Sequence, residues 1–112
     1  MTVRHGFQAT MTACPGKGDA IVEMLLHAPS LSRDDCPVFL ISRSADNADV
    51  VHVTEGWTSR EAHAAFFATA EAQALVAELQ SLLAGEPQYS DQVPVGGKAE
   101  LGSGSTRGDL VR

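Results

Sequence analysis

The chain has 112 residues, room for one sheet and two or three helices around a single modest core and too few for two independent cores. Its formal net charge is −6 with no cluster of lysine or arginine, which argues against nucleic acid and anionic membranes as partners, because both select a concentrated basic footprint. Cys14 and Cys36 lack CxxC spacing, the N-terminus lacks the apolar core of a signal peptide, and no apolar run nears the roughly 20 residues of a membrane span. The expectation is a cytoplasmic protein with reduced thiols, a structural cysteine pair staying open.

Phe7 to Ala13 alternates apolar and polar residues and predicts a first strand with one face in a core. Pro15-Gly16-Lys17-Gly18-Asp19 then opens a helix in which Ile21, Val22, Leu25 and Leu26 recur at helical spacing, and Pro29 stops or kinks it. After a polar link, Pro37 to Ser44 reads as a second strand built on Val38, Phe39, Leu40 and Ile41. The Asp- and Asn-rich turn from Ala45 to Asp49 joins it as a hairpin to a third strand, Val50 to Thr58.

That third strand is the most informative part of the chain. Period-2 geometry points Val51, Val53, Glu55 and Trp57 one way and Val50, His52, Thr54 and Gly56 the other. A carboxylate in an apolar row must be paired, shifted in pKa or exposed in a cleft. Thr58-Ser59-Arg60-Glu61 fits a capping box with Thr58 as the cap, so a helix is expected directly after Trp57. Its apolar stripe runs through Ala62, Ala65 and Phe66 to Leu75, Val76, Leu79, Leu82 and Leu83. Polar Thr69 falls on that line, so Thr69-Ala70-Glu71 allows a break into two segments. Gly85 and Pro87 end the helix, and Gln88 to Val95 predicts a fourth strand with Tyr89, Asp91, Val93 and Val95 on one side.

The order β-α-β-β-α-β is the split βαβ pattern, an α+β ferredoxin-like fold with two helices on one face of a four-stranded antiparallel sheet. Residues 1–95 form this domain, and 96–112, rich in Gly, Ser and charge, form a flexible tail. The uncovered sheet face would carry Gln8, Thr10, Thr12, His52, Thr54, Gln88, Ser90 and Gln92, polar but nearly uncharged. A homodimer closed through that face is expected.

With this topology, Glu55-Gly56-Trp57-Thr58-Ser59-Arg60-Glu61-Ala62 resembles the antibiotic biosynthesis monooxygenase family, whose members typically carry Glu-x-Trp at the end of the third strand before an Ala-rich helix start. The first strand followed by Pro15-Gly16-Lys17 is a second, weaker match, and the order of elements from Phe7 to Val95 extends the likeness. The resemblance implies a dimeric α/β barrel that oxygenates a hydroquinone- or anthrone-like aromatic, a polyketide or quinol, with molecular oxygen and no metal, flavin or haem. Many members place a His about nine residues past the Trp. Here that position is Phe66, and His63 one helical turn earlier is the candidate carried over.

The candidate catalytic residues are then His63, Glu55 and Trp57, and for a cleft between the helices and the inner sheet face the candidate substrate-binding residues are Phe66, Phe67, Phe39, Met24 and Val53, with no cofactor or metal ligand. Plainer roles stand beside these: Trp57 as a ring packed under the helix, Glu55 as a cap or as an ion-pair partner of Arg43 or Arg60, His63 as a solvent-facing residue. His5, His27, His52 and His63 show no metal-ligand spacing. A non-catalytic small-molecule-binding or stress-response module of the same fold is the alternative function. Haem degradation is a third, for which Gln8 is a poor substitute for the first-strand Asn of such relatives.

Overall fold

The computed structural model describes residues 2–101, so from residue 102 onward the expected tail lies outside the described residues. The elements are β1 His5–Thr12, α1 Gly18–Leu25, a short 3-10 turn Pro29–Ser32, β2 Val38–Arg43, β3 Val50–Trp57, α2 Arg60–Phe67, α3 Ala70–Gln80 and β4 Gln88–Gln92. The sheet order is β2-β3-β1-β4 with every neighbouring pair antiparallel, which is the expected α+β ferredoxin-like arrangement. Within one chain the sheet is open, β2 and β4 being its edges.

Several boundaries differ from the sequence reading for identifiable reasons. β1 begins at His5 because the ladder to β3 continues to the His5–Trp57 pair, and the Arg4 amide donates beyond it to the Trp57 carbonyl at 2.9 Å. β4 stops at Gln92, whose partner Gly6 closes the ladder to β1. Val93 and Val95 lie past it, exposed, around a proline that has no N–H to donate. The N-cap of α2 is Ser59, not Thr58: the Ser59 hydroxyl accepts from the Ala62 amide at 2.9 Å, while the Thr58 amide is committed to the Asp35 carbonyl at 3.0 Å. The break at Thr69 is real, and the Thr69 hydroxyl both accepts from the Ala72 amide and donates to the Phe66 carbonyl, ending α2 and starting α3.

The start of α1 is held from outside the helix. Asp49, at the end of the β2–β3 turn, accepts from the Gly16 and Gly18 amides at 3.0 and 2.9 Å, and these bonds hold its carboxyl below the usual range. Gly16 sits at φ +82°, and a Cβ on Gly18 would collide with the Ala48 carbonyl, so both glycines are required by the backbone.

Two apolar clusters lie between sheet and helices. Ala9, Met11, Val51 and Val53 of the sheet pack on Ile21, Leu25 and Leu79, and at the other end Trp57, Cys36, Phe66 and Ala72 pack together. Phe39 touches both clusters. On the opposite face Thr10 and His52 share a hydrogen bond at 3.1 Å, and Gln92 donates to Gln8 at 3.1 Å. The cysteines are free thiols; buried Cys36 donates to the Val38 carbonyl, and burial pushes its thiol up to about 12. No described helix is long and apolar enough to cross a membrane.

Candidate functional site

Sheet register assembles the site. One cross-strand row runs Phe39, Glu55, Phe7 and Asp91 from β2 to β4, and the row beside it runs Ile41, Val53, Ala9 and Tyr89. Alternation turns all of these toward the helices. Above them α2 brings His63, Phe66 and Phe67, spaced so that the first two stack on neighbouring turns of the helix.

Where the two apolar clusters meet, these residues enclose an inner cavity of about 80 Å³, whose lining includes Val53, Phe39, Phe66, Ser30, Glu55 and His63. A wider outer compartment of about 260 Å³ adds His5, Arg60 and Asp91. Phe7, His63, Phe67 and Tyr89 line both, so they form the waist between a deep apolar end and a charged mouth. The two volumes together fall just inside the lower end of the roughly 300–1,000 Å³ common for small-molecule sites.

From the waist inward runs a polar cluster in aromatic surroundings. The Trp57 indole N–H donates to Glu55 Oε1 at 2.8 Å, and His63 Nε2 lies 3.7 Å from the same oxygen. The His63 ring is stacked on Trp57 with centroids 5.1 Å apart and meets Phe7 at 4.8 Å and His5 at 5.2 Å. Only 14% of the Glu55 side chain and 15% of the His63 side chain are exposed. Burial raises the Glu55 carboxyl above its usual range against the pull of the Trp57 bond; burial, then repulsion from His5, lowers His63, with Asp91 opposing. At 3.7 Å the two groups are beyond hydrogen-bond distance, and neither shift comes from the other. Both are pushed toward their neutral forms. A neutral imidazole facing an apolar cavity can accept a proton, and a carboxyl beside it can stabilise the resulting cation.

Several expected residues are brought together here: His63, Glu55, Phe66, Phe67, Phe39 and Val53 all line the inner cavity. Two expected members are placed elsewhere. Met24 does not line it: Ile21 and Leu25 take the buried positions of α1, and Met24 falls on the flank of that helix, lining a separate groove with Leu75 of α3. Trp57 is 0% exposed and lies behind the cavity, where it meets the site through Glu55, His63 and the Phe66 ring, 5.2 Å away between centroids. Arg43, one expected partner of Glu55, instead pairs with Asp19 at 2.7 Å. Gln8, weighed above for haem, bonds Gln92 on the opposite sheet face.

The sequence reading missed Phe7, Tyr89, His5 and Asp91 as members of the site. The signal was present: His5 extends the Phe7 row by one period, and Asp91 extends Tyr89 in the same way. Ser30, buried in the 3-10 turn, gave none. Among the described residues, no group of three or more His, Cys, Asp or Glu side chains is arranged to hold a metal ion.

The model of the family "Antibiotic biosynthesis monooxygenase" matches residues 5–78, from the start of β1 through most of α3. The chain belongs to the antibiotic biosynthesis monooxygenase family. The matched span carries Phe7, Glu55, Trp57, His63 and Phe66, whereas β4 with Tyr89 and Asp91 lies beyond it. A solved structure of a candidate antibiotic biosynthesis monooxygenase from Chloroflexus aurantiacus is similar at 29% identity and TM-score 0.75, over 85% of this chain and 96% of that one. A second candidate monooxygenase of the family, from Caulobacter crescentus, is 23% identical with TM-score 0.72, over 84% of this chain and 92% of that one. A third, from Nitrosomonas europaea, is 18% identical with TM-score 0.74, over 82% and 99%; these last two speak to the fold. No curated protein matches the chain.

Proposed function

We propose that this member of the antibiotic biosynthesis monooxygenase family oxygenates an electron-rich aromatic, of hydroquinone or anthrone type, with molecular oxygen and no cofactor. The observation that carries the reading is the Trp57–Glu55–His63 cluster, in which His63 stands at the waist, Glu55 on the inner wall and Trp57 behind them. His63 is the base. It takes the acidic proton of the bound substrate, and Glu55, fixed by the Trp57 indole, stabilises the imidazolium. The deprotonated substrate passes an electron to oxygen, the two radicals combine at the ring carbon as a peroxide that takes the proton back from the His63 imidazolium, and loss of water from this hydroperoxide leaves a carbonyl. For an anthrone, one oxygen atom stays in the product, the other leaves as water, and both hydrogens come from the substrate methylene. Phe7, Phe66 and Phe67 hold the ring and keep bulk water away. Proton transfer of this kind contributes about 10²–10⁴-fold.

We also propose a two-fold dimer closed through the open sheet face. Its support is the polar, nearly uncharged surface on which Thr10 pairs with His52 and Gln8 with Gln92.

Oxygen uptake on a panel of hydroquinones and anthrones in metal-free buffer, run beside ligand-induced thermal shifts, tests the reading. Uptake above the spontaneous rate is expected. Stabilisation by the same compounds without uptake would instead assign the cleft to binding alone.

A further inference from the structure

The outer compartment holds charge that the chemistry at His63 does not use. Among the described arginines, Arg33 pairs with Asp35 at 3.0 Å and Arg43 with Asp19 at 2.7 Å, whereas Arg4 and Arg60 have no described carboxylate within 4.0 Å. Both of these arginines come to the same place. Arg60 lines the outer compartment, and Arg4 and Arg60 together line the shallow depression that continues from it past His5 and Asp91. For a chain of net charge −6, gathering at one mouth the two described arginines that lack a carboxylate partner is not what composition alone would give. Arg60 is also the first residue of α2, where the helix dipole favours a carboxylate and disfavours a guanidinium, so its position costs the helix stability.

The walls of this mouth complete the picture. Phe67 is 43% exposed and Tyr89 55%, two large rings left in solvent on either side of the entrance. Asp91 is the one carboxylate that lines the compartment and the depression, and its partner is His5 at 3.6 Å, against Arg60 in the compartment and Arg4 beside it; Glu86 and Glu55 reach the mouth only electrostatically, through Tyr89. Guanidinium binds carboxylate in a planar two-point contact, and exposed rings bind an arene.

We propose that the ligand of this cleft is an aromatic carboxylic acid, its carboxylate held at the mouth by Arg60 with Arg4 in support and its ring passing between Phe67 and Tyr89 to His63. The inference rests on the cleft being the functional site, and it narrows the substrate to arenes bearing an acidic group.

Calorimetric titration with 2-naphthoic acid and 2-naphthamide, matched in size and shape, tests it without turnover. The wild-type protein should bind the acid at least about tenfold tighter than the amide at low salt, and added salt should erode that preference. The ratio should fall several-fold in Arg60→Gln, approach one in Arg4→Gln/Arg60→Gln, recover in part in Arg60→Lys, and stay as in wild type in Lys17→Gln, which removes a distant charge. Amide affinity in each variant reports that the cleft is folded. A ratio near one in the wild type, a ratio unchanged in the double variant, or binding of neither probe would overturn the proposal. Amide binding without acid preference overturns this inference alone, whereas absence of oxygen uptake on any panel member speaks only against the oxygenase reading.

Discussion

At the scale of single residues, the site works through what burial does to two ionisable groups of opposite sign. Glu55 has its carboxyl raised, so the folded state holds its proton more tightly than the unfolded chain does. Stability from this group is therefore full below about pH 4.3 and declines as pH rises through the raised value. His63 is lowered, so its contribution is full above about pH 6.5 and is lost as pH falls through its folded value. Urea unfolding across pH 4–8 should thus show wild type losing ground to Glu55→Gln as pH rises, and losing ground to His63→Phe as pH falls. The rate of the proposed reaction should rise with pH on an apparent pKa below about 6.5, the proton loss of His63. Cys36 makes a separate prediction: held near 12 and buried, it should resist alkylation at pH 8 while the partly exposed Cys14 is modified first, as peptide mapping would read. The oddity of Glu55 and Trp57 on one strand face was legible in sequence, because alternation alone puts them there. The partner of Glu55 was not. Arg43 and Arg60 were the partners expected; Arg43 instead meets Asp19 of α1, and Glu55 takes the Trp57 indole on its own strand, a choice set by side-chain packing that a one-dimensional pattern does not encode.

At the scale of elements, short helices here are held by side-chain caps supplied from both near and far. α2 has eight residues, short enough that its first turn depends on Ser59. Ser59→Ala should cost about 1 kcal/mol, while Thr58→Ala should cost well under half of that through the lost hydroxyl, since Thr58 is tied by its backbone amide. Urea midpoints of the two variants check the order. Reversal would restore the cap to Thr58. Strand and helix order could be read from alternation and helical spacing, and the break at Thr69 from a polar residue in an apolar stripe. The one-residue shift of the cap could not, because Thr58 and Ser59 are both good caps, and the competing Asp35–Thr58 bond comes from a loop 23 positions away. Asp49 acting as the cap of α1 was hidden for the same reason: it reaches the helix across the hairpin. The place of Met24, in a separate groove, was not legible because helical spacing marks an apolar flank without saying which neighbour that flank meets.

At the scale of the molecule, one face of the sheet carries the cleft and the other is proposed to carry the symmetry axis. Stable interfaces bury about 1,200–2,000 Å² in total, the area the open sheet face has to supply. Sedimentation equilibrium should give twice the 11.8 kDa chain mass, and Thr10→Lys, which puts a charge into the polar face, should shift the protein toward monomer. A monomeric wild type would remove the dimer from the account. The central claim is that His63 supplies the base for oxygenation in this cleft. Its most direct test is the turnover of 1,8-dihydroxyanthrone under isotopically labelled oxygen, comparing wild type with His63→Ala in metal-free buffer. The account predicts one labelled oxygen atom in the product and a rate lower by about 10²–10⁴-fold in the variant. Equal rates in the two proteins, or product without label, would contradict it.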